Sequence, residues 1–280
     1  MAAADDPLTW IKGAEGHWRM GVLAPGPRLA GCVKALTWYV ERWPGPVSRR
    51  QVATSGAVLF VTWGTPLEVS LGGASSSFRA FVAGVQDRSA HTRHAGIQEG
   101  IGVHLNALGV SRLIGLPGAE LANRCVALDE ILGQGAESLA DQLSGAATPS
   151  RRVALVEAAL VERLDAAPIL SPEVVWVWGK LRSRPSVRIA DLAAEVGWSR
   201  TRLASRFSEQ IGISPKRFAR VVRFEGARRH LAKGSSSLAE IATRAGYYDQ
   251  AHLSRDISAL AGCTPAALAG ELASDGPPDP

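Results

Sequence analysis

Two short stretches, about fifty residues apart, carry side chains suited to reading duplex nucleic acid. The first holds Arg200, Thr201, Arg202, Ser205 and Arg206. The second holds Gln250, Ala251, His252, Ser254 and Arg255. An arginine guanidinium can grip guanine O6 and N7 with two parallel hydrogen bonds. Glutamine can do the same at adenine N6 and N7, and a threonine or alanine methyl can pack on the thymine methyl. Lys216 and Arg217 follow Ser214-Pro215, a helix start, where a cation meets phosphate rather than a base edge. Every arginine in the set can also position the chain on phosphate without specifying sequence, Arg206 above all because it borders the buried side. Gln250 can equally cap its helix, and His252 can support the turn.

Other chemistries lack a complete constellation. The N-terminal half has His17, His91, His94 and His104, and His91-Thr-Arg-His94 offers two imidazoles. No carboxylate or cysteine at ligand spacing completes a metal set, so no metal and no cofactor is expected. Ser75-Ser-Ser77 beside Gly72-Gly73 reads as a loop, not a nucleophile elbow. Cys32, Cys125 and Cys263 are odd in number and scattered, with no CxxC pair and no activating neighbour. An enzyme is not expected.

Charge narrows the partner. From Lys180 to Lys233 there are 14 Lys or Arg against 4 Asp or Glu, a local excess of +10 in a chain of net charge +5. The remainder is therefore acidic, at −5. By charge alone the basic block suits DNA, RNA or an acidic membrane. No apolar run approaches the roughly 20 residues of a membrane span. Met1 to Thr9 carries Asp5 and Asp6 and no apolar core, so no signal peptide is expected. The reading is a soluble, cytoplasmic protein without membrane contact. Its 5 Lys against 26 Arg points to a GC-rich bacterial genome.

The elements that must hold these side chains fall into two regions. Residues 29–106 read as strands: Ala57–Trp63, Leu67–Leu71, Phe78–Val85 and Ile101–Leu105 are short apolar or alternating runs between Gly, Pro and Ser clusters. Helical spacing follows in Val110–Leu116, Glu120–Arg124 and Leu128–Leu143. Then comes a stripe of Val153, Val156, Leu160 and Leu164 opened by Thr148-Pro149. Ala166-Ala167-Pro168 marks a boundary, and Ser171-Pro172 starts the next helix. The expected class is α+β. A β-rich, barrel- or sandwich-like domain with C-terminal helices (1–167) precedes an all-α domain (168–273), and a disordered tail occupies 274–280.

The all-α region contains an internal repeat. Ile189-Ala-Asp-Leu-Ala-Ala-Glu-Val-Gly197-Trp198 matches Leu238-Ala-Glu-Ile-Ala-Thr-Arg-Ala-Gly246-Tyr247 position for position at an offset of 49. The second copy then gains one residue. Leu203 pairs with Leu253, Phe207 with Ile257, Gly212 with Gly262, and Ser214-Pro215 with Thr264-Pro265 at an offset of 50. Each copy predicts a short amphipathic helix, a glycine turn, and a second helix capped by Ser199 or Asp249, which is a helix-turn-helix. Ser237-Leu-Ala-Glu240 is a capping box. A long helix from Ser214-Pro215 to Lys233-Gly234 should join the two units, with outward-facing second helices at about 199–210 and 249–261. Such a spacer suits two major-groove entries about 34 Å apart. Tandem helical hairpins can also build protein-binding bundles, but these outer faces are strongly basic.

Residues 168–273 resemble the AraC/XylS-type transcription regulators. The resemblance lies in Ile189 to Phe218, in Arg223-Phe224-Glu225 with Ala227 and Leu231, and in Gly246-Tyr-Tyr-Asp-Gln-Ala-His-Leu-Ser-Arg255 followed by Gly262-Cys-Thr-Pro265. It implies two helix-turn-helix units on a bridging helix, double-stranded DNA as partner, and RNA polymerase as a further one. It also implies a bacterial regulator, activator or repressor, and a DNA contact at Arg255. Departures are Tyr248 where a small residue is usual, Ile257 for Phe, Gly226 inside the bridging helix, and Ser205-Arg206 where an Arg usually precedes the apolar pair. Gly115-Leu-Pro-Gly-Ala-Glu-Leu-Ala-Asn-Arg124 looks like part of the family's variable regulatory domain. That implies control by a small-molecule effector. Trp38, Trp43, Phe60, Trp63, Phe78 and Phe81 can line its pocket or serve as core. A homodimer through the N-terminal domain is left open.

Overall fold

The computed structural model describes residues 9–13, 17–234 and 236–273. The first eight residues and the tail 274–280 lie outside the described residues. Alternating side chains build two antiparallel sheets. Seven strands run in the order β1 (Thr9–Lys12), β2 (Trp18–Leu23), β3 (Val33–Arg42), β10 (Ile97–Asn106), β5 (Gly56–Thr62), β8 (Ala80–Ala83) and β11 (Cys125–Ala127). Four more run β4 (Val47–Gln51), β9 (Ala90–His94), β6 (Leu67–Leu71) and β7 (Ala74–Phe78).

β10 is the spine, with Ile101 opposite Trp38 and Val61, and Val103 opposite Leu36 and Leu59. Because successive residues point to opposite faces, these apolar residues share one face and are buried there. The short helix α1 (Ala107–Gly109), capped by the Asn106 side chain, runs into a π-helical turn at Val110–Ile114. Then follow α2 (Gly118–Leu121), α3 (Leu128–Leu132), α4 (Gln134–Gly145) and α5 (Pro149–Asp165). Leu113, Leu143, Val153, Val156 and Leu160 from this layer close the core on the sheet. The opposite face carries Thr37, Tyr39, Glu41, Gln98, Gly102, His104, Phe60 and Thr62, and meets the smaller sheet. Arg49 Nη2 of β4 donates to Glu41 Oε2 at 2.7 Å.

Several expectations shift. The run Phe78–Val85 divides between β7 and β8. Glu120–Arg124 keeps only one helical turn, and β11 follows it. Leu128–Leu143 breaks at Gly133, whose φ is +53°. β1 and β2 precede the region that alternation marks.

The C-terminal half is all helix: α6 (Pro172–Ser183), α7 (Ile189–Glu195), α8 (Arg200–Ile211), α9 (Pro215–Ala232), α10 (Leu238–Arg244), α11 (Gln250–Ala261) and α12 (Pro265–Ala273). Leu203, Phe207, Phe218, Phe224, Leu253 and Ile257 are fully buried between them. Phe207 meets Phe218 edge-on at 5.7 Å. This core continues into the N-terminal half through Ala53, Val85, Ala107 and Leu108.

Hydrogen bonds reinforce that junction. Ala53 N donates to Leu260 O at 2.9 Å, and Ser111 Oγ to Gln210 O at 2.9 Å. Glu225 of α9 accepts from Ser55 N at 2.7 Å, Ser55 Oγ at 2.8 Å and Thr54 Oγ1 at 3.3 Å. Arg50 reaches Glu271 at 3.2 Å. Gly118 must stay glycine, since a Cβ there would lie 2.6 Å from Gln210 O. The segment 166–171 between α5 and α6 forms no helix, and Ile169 stands 96% exposed within it.

Candidate nucleic-acid interface

Both outward helices, the bridge and α10 are each started by a side chain that accepts a backbone N–H otherwise left unpaired, whereas α7, preceded by Arg188, has no such cap. Ser199 accepts from Arg202 N at 3.1 Å, and Ser214 from Arg217 N at 3.4 Å. Asp249 accepts from His252 N at 2.6 Å. Ser237 and Glu240 exchange both bonds of a capping box, at 2.8 and 3.3 Å. The turns need glycine: Gly197 has φ +68° and Gly246 has φ +77°.

With Leu203 and Phe207 inward, α8 turns Arg200, Thr201, Arg202, Ser205 and Arg206 outward, all exposed. An open concavity of about 640 Å³ runs along this face, lined by Arg200, Thr201, Ala204, Ser205 and Ser208. The Arg202 guanidinium lies 4.6 Å from the Trp198 ring centre, which limits its swing. Arg206 pairs with Glu209 at 2.8 Å, one turn along.

In α11, Leu253 and Ile257 are inward and Gln250, Ala251 and Arg255 are exposed. Arg255 Nε rests on Ala251 O at 3.2 Å. Ser254 and His252 are half-buried, and the His252 ring stands edge-on to Tyr247 at 5.1 Å. Lys216 is exposed. Arg217 is ion-paired with Asp87 of the N-terminal half, whose carboxylate is buried.

The repeat pattern did not reveal three braces. Arg220 Nε of α9 donates to Asp256 Oδ1 of α11 at 2.8 Å, fixing the second outward helix to the bridge. Arg223 Nη1 donates to Pro185 O at 3.1 Å, tying the bridge to the loop before α7. Asp87 is the third. These partners are far apart in sequence, so no local spacing signals them. A nearby phenol responds to this environment: burial, then the Asp256 carboxylate, pushes Tyr247 above its ordinary range.

The six aromatics expected at a pocket occupy three places. Trp38 and Trp63 stack at 5.3 Å on the helix-covered face, under the Arg152 guanidinium. Phe60, Phe81 and Phe78 follow one another at 5.4 and 5.3 Å between the sheets, with Tyr39 on Phe60. Trp43 stands apart, stacked on His17 at 4.4 Å. Beside the Phe60 group, Thr37 Oγ1 and His104 Nε2 are 3.1 Å apart, and a Cβ at Gly102 would come within 2.8 Å of that hydroxyl.

His91 and His94 do not form a pair. His91 is exposed, whereas His94 is buried 3.5 Å from Glu41. Burial pushes the Glu41 carboxyl up, but hydrogen bonds and charge from His94, Arg49 and Trp43 outweigh it, and the group stays below its usual range. Among the described residues, no cluster of three or more His, Cys, Asp or Glu is placed to hold a metal. Burial pushes the Cys125 thiol up to about 11 and also raises Cys32 and Cys263.

Residues 192–270 match the family described as a helix-turn-helix domain. This C-terminal unit is an AraC-type helix-turn-helix domain. Among solved structures, ToxT from Vibrio cholerae aligns over 82% of this chain and 100% of its own at 11% identity, with a TM-score of 0.50. The C-terminal domain of AraT, a response regulator from Geobacillus stearothermophilus, covers 37% of this chain and 88% of its own at 22% identity, TM-score 0.35. An AraC-type regulator from Chromobacterium violaceum covers 38% and 96% at 23% identity, TM-score 0.35. No curated protein matches the chain. The likeness to ToxT is one of fold, a β-rich N-terminal half followed by an AraC-type domain.

Proposed function

We propose that this protein is a sequence-specific DNA-binding transcription regulator whose N-terminal β domain sets when its two helix-turn-helix units bind. The observation that carries this reading is the pair of outward faces on α8 and α11, both in the AraC-type domain. They are joined through the 18-residue helix α9. A helix of that length spans about 27 Å, so α9 can act as a rigid spacer between two major-groove entries on one side of the duplex. Basic side chains supply salt-sensitive affinity, and the two faces supply sequence choice. The base readers are Arg200, Thr201, Arg202 and Ser205 on α8 and Gln250, Ala251, Ser254 and Arg255 on α11. Lys216, Arg217 and Arg206 meet phosphate, and His252 supports the turn while reaching the groove edge.

The effector, a small molecule, enters between the sheets beside Phe60, Phe78 and Phe81, where Thr37 and His104 offer polar groups. Trp38, Trp43 and Trp63 lie outside that space: Trp38 and Trp63 contribute through core packing, and Trp43 through its stack on His17 and its hydrogen bond to Glu41. Coupling runs through Glu225, Arg50 and Asp87. The protein works in the bacterial cytoplasm, and RNA polymerase is its protein partner by family resemblance; a homodimer stays open. No described helix is long and apolar enough to cross a membrane.

In-vitro selection of duplex DNA by the full chain, followed by binding across salt, tests the reading. Two conserved patches about one helical turn apart are expected. Retention without any sequence preference would overturn it.

A further inference from the structure

The two units differ at one place in the turn. In the first, Trp198 is followed directly by the N-cap Ser199. In the second, Tyr247 is followed by Tyr248 and only then by the N-cap Asp249. Tyr248 is therefore the extra residue that shifts the repeat offset from 49 to 50. It is 93% exposed, whereas Tyr247 beside it is 5% exposed. The backbone on either side is fixed. Tyr247 N donates to Ala242 O at 2.8 Å, and Asp249 caps α11 through His252 N at 2.6 Å. An aromatic ring held in water by two anchored neighbours gains nothing for the fold.

We infer that Tyr248 is a DNA contact of the second unit, its phenol donating a hydrogen bond to a backbone phosphate where α11 enters the major groove. The inference rests on the proposed DNA-binding function. A recognition helix approaches base edges with its N-terminal residues, so the residue just before its N-cap faces the wall of the groove, which is phosphate and sugar. Tyrosine hydroxyls are among the side-chain groups that contact phosphate. The first unit has no residue at this place, so the contact makes the two half-sites unequal and sets the direction in which the chain lies on its operator.

The test uses the full chain and the DNA selected by it. Tyr248→Phe and Tyr248→Ala should each bind about tenfold more weakly, the scale of a hydrogen bond to a charged acceptor. The slope of log K against log salt should not change, because a neutral phenol displaces no counterion. Ethylating single phosphates should identify one, at the edge of the second half-site, that weakens the wild type and leaves Tyr248→Phe unaffected. Far-ultraviolet circular dichroism should match among the three proteins, since the side chain is in solvent. Wild-type affinity in both variants would overturn the inference and leave the DNA-binding reading intact. Loss in Tyr248→Ala alone would overturn the hydroxyl contact in favour of the ring. No binding by the wild type would overturn the parent reading, and this inference with it.

Discussion

Arg255 lies exposed on α11 with its guanidinium on the Ala251 carbonyl, one turn back along the face assigned to base reading. A guanidinium so placed can bridge guanine O6 and N7 or sit on phosphate, and the two roles respond differently to substitution. Arg255→Ala should weaken the selected site by about 1–3 kcal/mol and change non-specific binding much less. A competition titration against random duplex reads this, and equal loss on both substrates would reduce Arg255 to a phosphate contact. Glu41 belongs to the same scale but to stability. Its folded carboxyl lies below the ordinary range, so its contribution is present above the unfolded value of about 4.3 and fades as pH falls through the lower, folded value. Glu41→Gln should therefore be less stable than wild type at pH 7 by about 1–3 kcal/mol. The gap should close as pH falls below about 4. Urea unfolding at several pH values measures it; a constant gap would mean that lost packing, not lost charge, is responsible. The exposed candidates on α8 and α11 could be read from the sequence because burial of Leu203, Phe207, Leu253 and Ile257 dictates what faces outward. Arg220–Asp256 and Arg217–Asp87 could not, since each joins residues that only the tertiary fold brings together.

At the level of elements, caps and glycine turns were the most legible features, because each is a local chemical requirement. Strand partners were the least: β11 pairs with β8 across some forty residues, and a three-residue strand leaves no alternation to detect. The paired glycine turns show how similar elements differ in context. Both Gly197 and Gly246 have positive φ. A Cβ at Gly197 meets nothing within 4 Å, whereas at Gly246 it would lie 2.6 Å from Ser186 Oγ, in the loop before α7. Gly197→Ala should thus cost only the backbone strain of about 1–2 kcal/mol. Gly246→Ala should cost more, because it also pushes the first unit's loop off the second turn. Thermal unfolding of the two variants ranks them. The reverse order would show that the Ser186 contact yields without cost.

For the whole molecule, the chain has two halves by element type but no gap between their cores. Ala53, Val85, Ala107 and Leu108 enter the helical cluster, and Glu225 takes three hydrogen bonds from Thr54 and Ser55. A break in helix at Ala166-Ala167-Pro168 was signalled locally, by the proline. The docking was not, because it is made by loops whose polar residues look like ordinary turn residues. Docking has a direct consequence for DNA binding at Arg217, a phosphate candidate already occupied by Asp87. The Asp87 carboxylate is 7% exposed, and its Oδ1 has no hydrogen-bond partner, so Arg217 is the group that offsets its buried charge. Moving Arg217 to a phosphate strands that carboxylate, and leaving a buried charge unpaired is costly. On the proposed phosphate role of Arg217, this pair would set the N-terminal half against DNA binding, and by linkage DNA would oppose the docked arrangement to the same extent. Asp87→Asn removes the charge while keeping the shape, so Arg217 becomes available without penalty. Its affinity for the selected site should rise about three- to tenfold, within the usual range of coupling between sites. Its salt dependence should steepen by up to about 0.9, the slope of one added phosphate contact. The double variant Asp87→Asn/Arg217→Ala should lose both changes. A rise in affinity that survives removal of Arg217 would assign the restraint to loosened docking as a whole, and no rise in either protein would show that Asp87 does not compete with DNA.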